Sequence, residues 1–234
     1  MGLRLHASAQ TVPKRGRIAA ENEDSVSCDM GSGRFAVADG ASTSARPEVW
    51  SEILVNAFTH EGVDPLAPDI LDRLRRSWWQ QVARPGLPWW ALEKLPQGGA
   101  AAFVGLTTRG SDYQVRAVGD SCFFHLRGPE MLLAGPLDRA DLFSRFPTLV
   151  STRPGASATA DAIWDGGGSY EAGDLFVLAT DALAKHLLQA YETTGCLLPV
   201  SDHLGSPDAF ADFVTRSRES GMDNDDTTVC VVQT

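Results

Sequence analysis

Cysteine is scarce in this chain and none of it is paired: Cys28, Cys122, Cys196 and Cys230 are widely scattered and form no CxxC. That spacing argues against a thiolate metal centre or redox motif, and the thiols are expected to be reduced and structural in a cytoplasmic protein. No uninterrupted apolar run reaches the length of a membrane span, and the N-terminal MGLRLHASAQTVPKRGR carries no apolar core of a secretion signal. Gly2 follows Met1, but His6 stands where a myristoylation site needs Ser or Thr. Basic residues are also in deficit, with Lys+Arg 20 against Asp+Glu 30 and a formal charge of -10. Nucleic-acid backbones would therefore be repelled, whereas a phosphorylated substrate remains compatible if bound cations reverse the local field.

Several catalytic signatures are missing as well. There is no phosphate-binding P-loop, and the glycines Gly166 to Gly168 lack the strand-before, helix-after context of a dinucleotide site. No GxSxG elbow supports a serine hydrolase, and neither Cys28 nor Cys122 lies in a glycine-rich phosphate loop followed by Arg. What remains has the balance of a soluble globular protein, 43% apolar and 21% charged. At 234 residues, one domain spanning 1–234 is expected.

The patterning predicts strands over 24–29 and 34–38, joined as an opening hairpin by MGSG. Val49, Trp50, Ile53, Leu54, Ala57 and Phe58 then recur at helical spacing, and Ile70, Leu71, Leu74, Trp78 and Val82 make a second apolar stripe over 68–84. The following ARPGLPWWALEKLPQGG reads as a loop with exposed aromatics. Strands over 100–107, 113–118, 121–127 and 130–134 form a meander with antiparallel pairing expected, and 135–157 reads as a long loop over the mouth of a site. A buried strand over 173–180, a helix after Asp181, a helix over 207–218 and a strand over 227–234 complete a layered α+β sandwich.

Acidic residues recur at the ends of these strands. Asp39 follows FAVA, Asp120 sits in AVGDS, Asp181 follows LFVLAT, and Asp225 and Asp226 precede TTVCVV. Each has an ordinary explanation alone, as a turn, a helix cap or a solvated acidic loop. Together they suggest convergence, and converging carboxylates repel unless a cation lies between them. Hard divalent ions suit an all-oxygen donor set, and Gly40 lacks the side chain that would keep its carbonyl from a cation.

Taken in order, NEDS at 22–25, FAVADG at 35–40, AVGDS at 117–121, GDLFVLATDAL at 173–183 and NDDTTVCVV at 224–232 resemble the motifs of the PPM (PP2C) family of metal-dependent serine/threonine phosphatases. The resemblance spans about residues 16 to 232. It implies a four-layer α-β-β-α sandwich with two central antiparallel β-sheets, and two Mn²⁺ or Mg²⁺ ions with a third held more weakly. By the same resemblance Asp39 bridges the two ions, Asp181 and Asp225 hold the first, and Glu23 or Asp24 with the Gly40 carbonyl serves the second. Asp120 lies near the third. Asp39, Asp181 and Asp225 are then the catalytic residues, a phosphorylated protein is the substrate, and a cognate serine/threonine kinase is an expected partner.

The departures from the family pattern concern the rim. Ala19 stands where the family has a phosphate-holding Arg, with Lys14, Arg15 or Arg17 as candidate substitutes at other spacings, and Cys122 replaces an Arg after Gly-Asp-Ser. Ala41 and Ser42 replace glycines, and Thr180-Asp181-Ala182 replaces Ser-Asp-Gly. These keep the acids and leave a second reading open, a phosphatase-like binding or regulatory module with weak turnover. A third is an interaction domain presenting Trp78, Trp79, Trp89 and Trp90. His60, His186 and His203 have no distinctive context for acid catalysis, and His125 in FFHLR is expected to be structural or exposed.

Overall fold

A computed structural model describes residues 5–84, 89–155 and 160–234. In chain order it contains β1 (His6–Val12), β2 (Ser25–Asp29), β3 (Arg34–Gly40), α1 (Pro47–Thr59), α2 (Pro68–Val82), α3 (Trp89–Lys94), β4 (Ala100–Arg109), β5 (Asp112–Val118), β6 (Cys122–Arg127) and β7 (Glu130–Gly135). There follow β8 (Val150–Ser151), β9 (Trp164–Ser169), β10 (Asp174–Ala179), α4 (Asp181–Thr194), α5 (Pro207–Glu219) and β11 (Thr227–Gln233). One sheet runs β1-β11-β10-β6-β7 and the other β2-β3-β4-β5-β9, with β8 beside β4. The pairings are antiparallel, so the layered α+β sandwich and the four-layer α-β-β-α arrangement implied by the resemblance are both found.

Strand β3 shows how the sequence builds three apolar layers. Successive side chains point to opposite faces of a strand. Phe35 and Val37 therefore enter the layer between the sheets with Phe123, Phe176 and Val232. Ala36 and Ala38 face Trp50, Leu54 and Phe58 of α1. Small residues on that outer face let the helix lie close to the sheet. On the other side Val177, Ala179, Val229 and Val231 pack against Leu183, Leu187, Phe210 and Val214 of α4 and α5. Fully burying each large side chain stabilises the fold by roughly 1.5–3 kcal/mol.

The helices begin where local chemistry favours it. Pro47, Pro68 and Pro207 each sit in the first turn, where a missing N–H costs nothing. Ser206 caps α5 by accepting from Ala209 N at 3.1 Å. Gly195 ends α4 at φ +72°, a conformation that favours glycine.

Four expectations require correction. The opening hairpin β2-β3 exists, but β1 precedes it and pairs along its whole length with the last strand, β11. Its sequence HASAQTV has little strand signal because an edge strand needs no second buried face. The predicted meander is split: β4-β5 pair in one sheet and β6-β7 in the other, so the chain crosses between sheets at Gly119-Asp120-Ser121. The glycine-rich WDGGGS forms β9 against β5. There Trp164 lies so close to Gly166 that an added Cβ would meet its ring at 2.3 Å. Finally, α3 interrupts the segment read as a loop. Residues 85–88 of that segment, residues 156–157 of the loop ending at 157, and Gly2 lie outside the described residues.

Candidate active site

Both sheets end on one side of the sandwich, and the acidic residues are carried there by the strand ends. Asp39 is still paired with Ala102 and Gly40 with Ala101, so Asp39 belongs to β3 and does not lie beyond it. Asp120 sits on the crossing between β5 and β6, where Gly119 at φ +96° makes the turn. An added Cβ there would meet the Ala102 Cβ at 2.6 Å. Asp181 opens α4 directly after β10, and Asp225 lies just before β11.

Asp39, Gly40, Asp120, Asp181 and Asp225 line one cleft of about 370 Å³, together with Ser42. The long loop after β7 adds Arg145 and Phe146 to its wall, matching the expectation that this loop lies over the mouth. Asp39, near the end of a strand of one sheet, and Asp181, on the helix that follows a strand of the other, both line this cleft. Glu23 stands in an adjoining hollow that shares Ser42 with the cleft, and its carboxylate accepts from the Ser42 hydroxyl. Asp24 is set behind the cleft, accepting from Thr180 Oγ1 at 3.0 Å. His60, His125, His186 and His203 do not line the cleft.

The electrostatics follow from this crowding. Burial first, then the charges of Asp24, Asp181, Asp120 and Asp225, push the Asp39 carboxyl well above the ordinary range. Burial, with Asp226 and Asp181 nearby, does the same to Asp24, although hydrogen bonds from Thr228 and Thr180 offset part of it. Asp181 is raised by burial and by Asp225. Burial and the charge of Asp181 push Asp120, which is 6% exposed, up to about 7.

The donor set is entirely oxygen, which suits hard divalent cations and not soft-ligand metals. Asp24 Oδ1 is buried without a hydrogen-bond partner, another sign that this region holds more negative charge than its own donors satisfy. Among the described residues, no three His, Cys, Asp or Glu side chains form a ready-made ligand shell. The carboxylates are thus gathered and mutually repelling, but not closed around a point. The residues fit such ions by chemistry and by charge.

Sequence reading missed the scaffold beneath the cleft. Asp226, 4% exposed, accepts from Lys14 N at 2.7 Å and from Glu23 N at 2.8 Å. It thereby clamps the β1-β2 connection to the loop before β11. Arg218 of α5 donates to the carbonyls of Asp225 at 2.6 Å and Pro13 at 3.2 Å. Gly40 has a packing role too: a Cβ there would lie 2.5 Å from the Glu23 carbonyl oxygen. Lys14 Nζ lies 3.1 Å from Glu23 Oε2, 2.9 Å from Ser42 Oγ and 3.4 Å from Asp225 Oδ1. Burial disfavours its charge, but the hydrogen bond to Glu23 and the charges of Asp225, Glu23 and Asp226 prevail and raise its pKa. The sequence offered only the acidity of the DNDD run and Lys14 as one of three bases near position 19.

Other expectations fall away from the cleft. His125 is buried, not exposed: Nε2 meets Asp174 Oδ2 at 2.9 Å and Nδ1 meets the Tyr113 hydroxyl at 3.0 Å. Trp78 belongs to the core, whereas Trp79 and Trp89 are exposed. The Trp90 side chain lies outside what is described.

No family model matches the chain, and no curated protein matches it in sequence. Solved structures do match over nearly the whole fold. PppA, a key regulatory component of T6SS in Pseudomonas aeruginosa, superposes with a TM-score of 0.63 at 17% identity, covering 99% of this chain and 98% of its own. The catalytic domain of the serine/threonine phosphatase PstP, solved with two manganese ions, gives 0.60 at 20% identity, covering 98% and 97%. The PPM Ser-Thr phosphatase MsPP from Mycobacterium smegmatis, in complex with cacodylate, gives 0.62 at 17% identity, covering 100% and 99%. The chain therefore has the fold of the PP2C-type metal-dependent serine/threonine phosphatases. The resemblance read from its five motifs and the architecture reached from its coordinates agree.

Proposed function

We propose that this protein is a single-domain, metal-dependent phosphatase of the PPM (PP2C) type that hydrolyses phosphoserine and phosphothreonine in proteins. One observation carries the reading: Asp39, Asp120, Asp181 and Asp225, up to 186 positions apart in sequence, line a single cleft. There Asp39, Asp181 and Asp225 would be the catalytic ligands, Glu23 from the adjoining hollow, Asp24 from behind the cleft and the Gly40 carbonyl would complete the set, and Asp120 would serve a third, weaker ion. Two Mn²⁺ or Mg²⁺ ions would supply Lewis acidity for a water nucleophile and for the charge on the phosphoryl oxygens.

The chain's own residues do the rest. Asp39 joins the halves of the site because it lies near the end of a strand of one sheet and lines the same cleft as Asp181 and Asp225, which flank strands of the other. Asp226 and Arg218 hold the Glu23 and Asp225 backbones at the rim. Arg145 and Phe146 overhang the cleft from the loop after β7, where they meet the substrate beyond its phosphoryl group. A phosphorylated protein is the substrate, a cognate kinase a partner, and the cytoplasm the expected location. No helix among the described residues is long and apolar enough to cross a membrane.

The alternative, a phosphatase-like binding module, is favoured by Ala19, which is exposed and offers no charge to a phosphate. Manganese-dependent phosphate release from a phosphopeptide panel, lost in Asp39→Asn, supports the enzyme. Divalent-ion binding with no release from any phosphoester supports the module.

A further inference from the structure

Two of the four cysteines meet where the sheets face each other. Cys28 on β2 and Cys230 on β11, 202 positions apart, bring their sulfurs to 3.4 Å and share a hydrogen bond at the layer between the sheets. The strands that carry them belong to different sheets, and Cα atoms of the two strands approach within 8 Å. The other two thiols lie apart. Cys122, buried, turns its sulfur to the Asp120 carbonyl at 3.4 Å, and Cys196 is exposed.

The paired thiols are not equivalent. Cys28 is half-buried on an edge strand, where a small oxidant reaches it, whereas Cys230 is fully buried. The shared hydrogen bond holds the Cys28 thiol below its ordinary pKa against the effect of burial, and the same bond, with burial, pushes Cys230 well above its own. An accessible thiol biased toward thiolate, with a second thiol in contact, is the arrangement of a peroxide-reactive cysteine and its resolving partner. Joining the two requires the sulfurs to close by about 1.4 Å, from 3.4 Å to roughly 2.0 Å. Because β2 has a neighbouring strand on one side only, a single ladder has to yield.

We propose that Cys28 and Cys230 are an oxidation site, forming a reversible disulfide between the two sheets when the protein meets a hydroperoxide. The Cys28 thiolate attacks one peroxide oxygen: an S–O bond forms, the O–O bond breaks, and the departing oxygen takes up the proton released by the thiol and leaves as water or an alcohol. The Cys230 sulfur then attacks the sulfenic acid. The S–S bond forms, the S–O bond breaks, and the hydroxyl leaves as water with the Cys230 proton. Two thiols together lose two electrons, and one peroxide gains them. In a reducing compartment the pair rests as two thiols, and a dithiol reductant restores it after oxidation. The bridge ties β2, which follows Glu23 and Asp24, to β11, which follows Asp225 and Asp226. None of this depends on what the cleft hydrolyses.

The full chain, treated with a slight excess of hydrogen peroxide and quenched by thiol alkylation, is digested with trypsin without reductant. Mass spectrometry should find peptides 18–34 and 219–234 joined, and dithiothreitol should release them. On a non-reducing gel the linked chain should run as a monomer. The linkage should persist in Cys196→Ser and be absent from Cys28→Ala, with Cys28→Ser as the substitute should that variant fail to fold. Oxidised wild type should melt about 5 °C or more above the reduced protein, because the bridge closes a long loop, while Cys28→Ala treated alike should show no rise. Both cysteines still alkylated after peroxide, Cys28 stopped at sulfenic or sulfinic acid, a linkage found only in dimers, or a linked chain that melts no higher than the reduced one overturns the proposal. These readouts need no phosphatase activity, so the proposal and the phosphatase reading fail separately.

Discussion

Asp39 lies near the end of a strand of one sheet and Asp181 opens the helix that follows a strand of the other, yet the two line one cleft and the charge of Asp181 raises the Asp39 carboxyl. Two acids brought together from separate sheets are a cost to the fold unless a cation or a proton separates them. The first consequence concerns Asp39 itself. Asp39→Asn should abolish manganese-dependent phosphatase activity by roughly a hundredfold or more, through loss of the shared ligand. Thermal melting without metal should show equal or higher stability, because one repelled carboxylate has been neutralised.

The same crowding predicts a pH dependence. Asp120 is raised in the folded chain, to about 7. A group with a raised folded pKa contributes stability that is complete below the ordinary carboxylate range and is lost as pH rises through the folded value. The melting temperature of EDTA-treated protein should therefore fall between about pH 4 and pH 7. Added Mn²⁺ should restore more at pH 7.5 than at pH 5, read by differential scanning calorimetry.

Asp226 should act through the residues it holds. Removing its two backbone contacts in Asp226→Ala frees Lys14 and Glu23. Mn²⁺ affinity measured by titration should weaken roughly tenfold, the usual scale for a residue supporting a ligand. An unchanged affinity would mean that the clamp does not position Glu23.

Far from the cleft, Asp174 accepts from Arg127 at 2.8 Å through two nitrogens and from Glu171 N at 2.9 Å, and it pairs with His125. Arg127 above all, helped by Glu171 N and His125 against the cost of burial, holds Asp174 well below the ordinary carboxylate range. Its contribution is present above that range and is lost as pH falls through the lowered value. Because Arg127 is 41% exposed, Asp174→Ala should cost only about 2–3 kcal/mol. Melting should drop by roughly 5–10 °C with Mn²⁺ binding intact.

The tryptophan pair separates core from surface. Trp78 is 3% exposed and Trp79 is 53% exposed. Chemical denaturation should show Trp78→Ala costing roughly 3–5 kcal/mol and Trp79→Ala within about 0.5 kcal/mol.

The legible part of this fold was the part carried by doubly buried strands and by helices with one apolar stripe. FAVA, LFVLA and TTVCVV declared themselves because both faces are covered, and the helix expected over 207–218 buries Phe210, Phe213, Val214 and Ser217. Partnership was not legible. Alternation along β5 and β6 gives no sign that the chain changes sheets between them, and edge strands such as β1 and β9 need too little apolar surface to announce themselves. In the site, the strand-end acids were readable as recurrent punctuation. Arg218 was not, and Lys14 and Asp226 stood out only as one of three nearby bases and one more acid of a run, since the contacts that place them are made across as many as 212 positions.

The account depends most directly on where divalent ions settle. Crystals equilibrated with Mn²⁺ and measured at the manganese absorption edge should show strong anomalous peaks between Asp39, Asp181, Asp225 and Glu23. Full manganese occupancy elsewhere on the molecule, with none in that cleft, would contradict it.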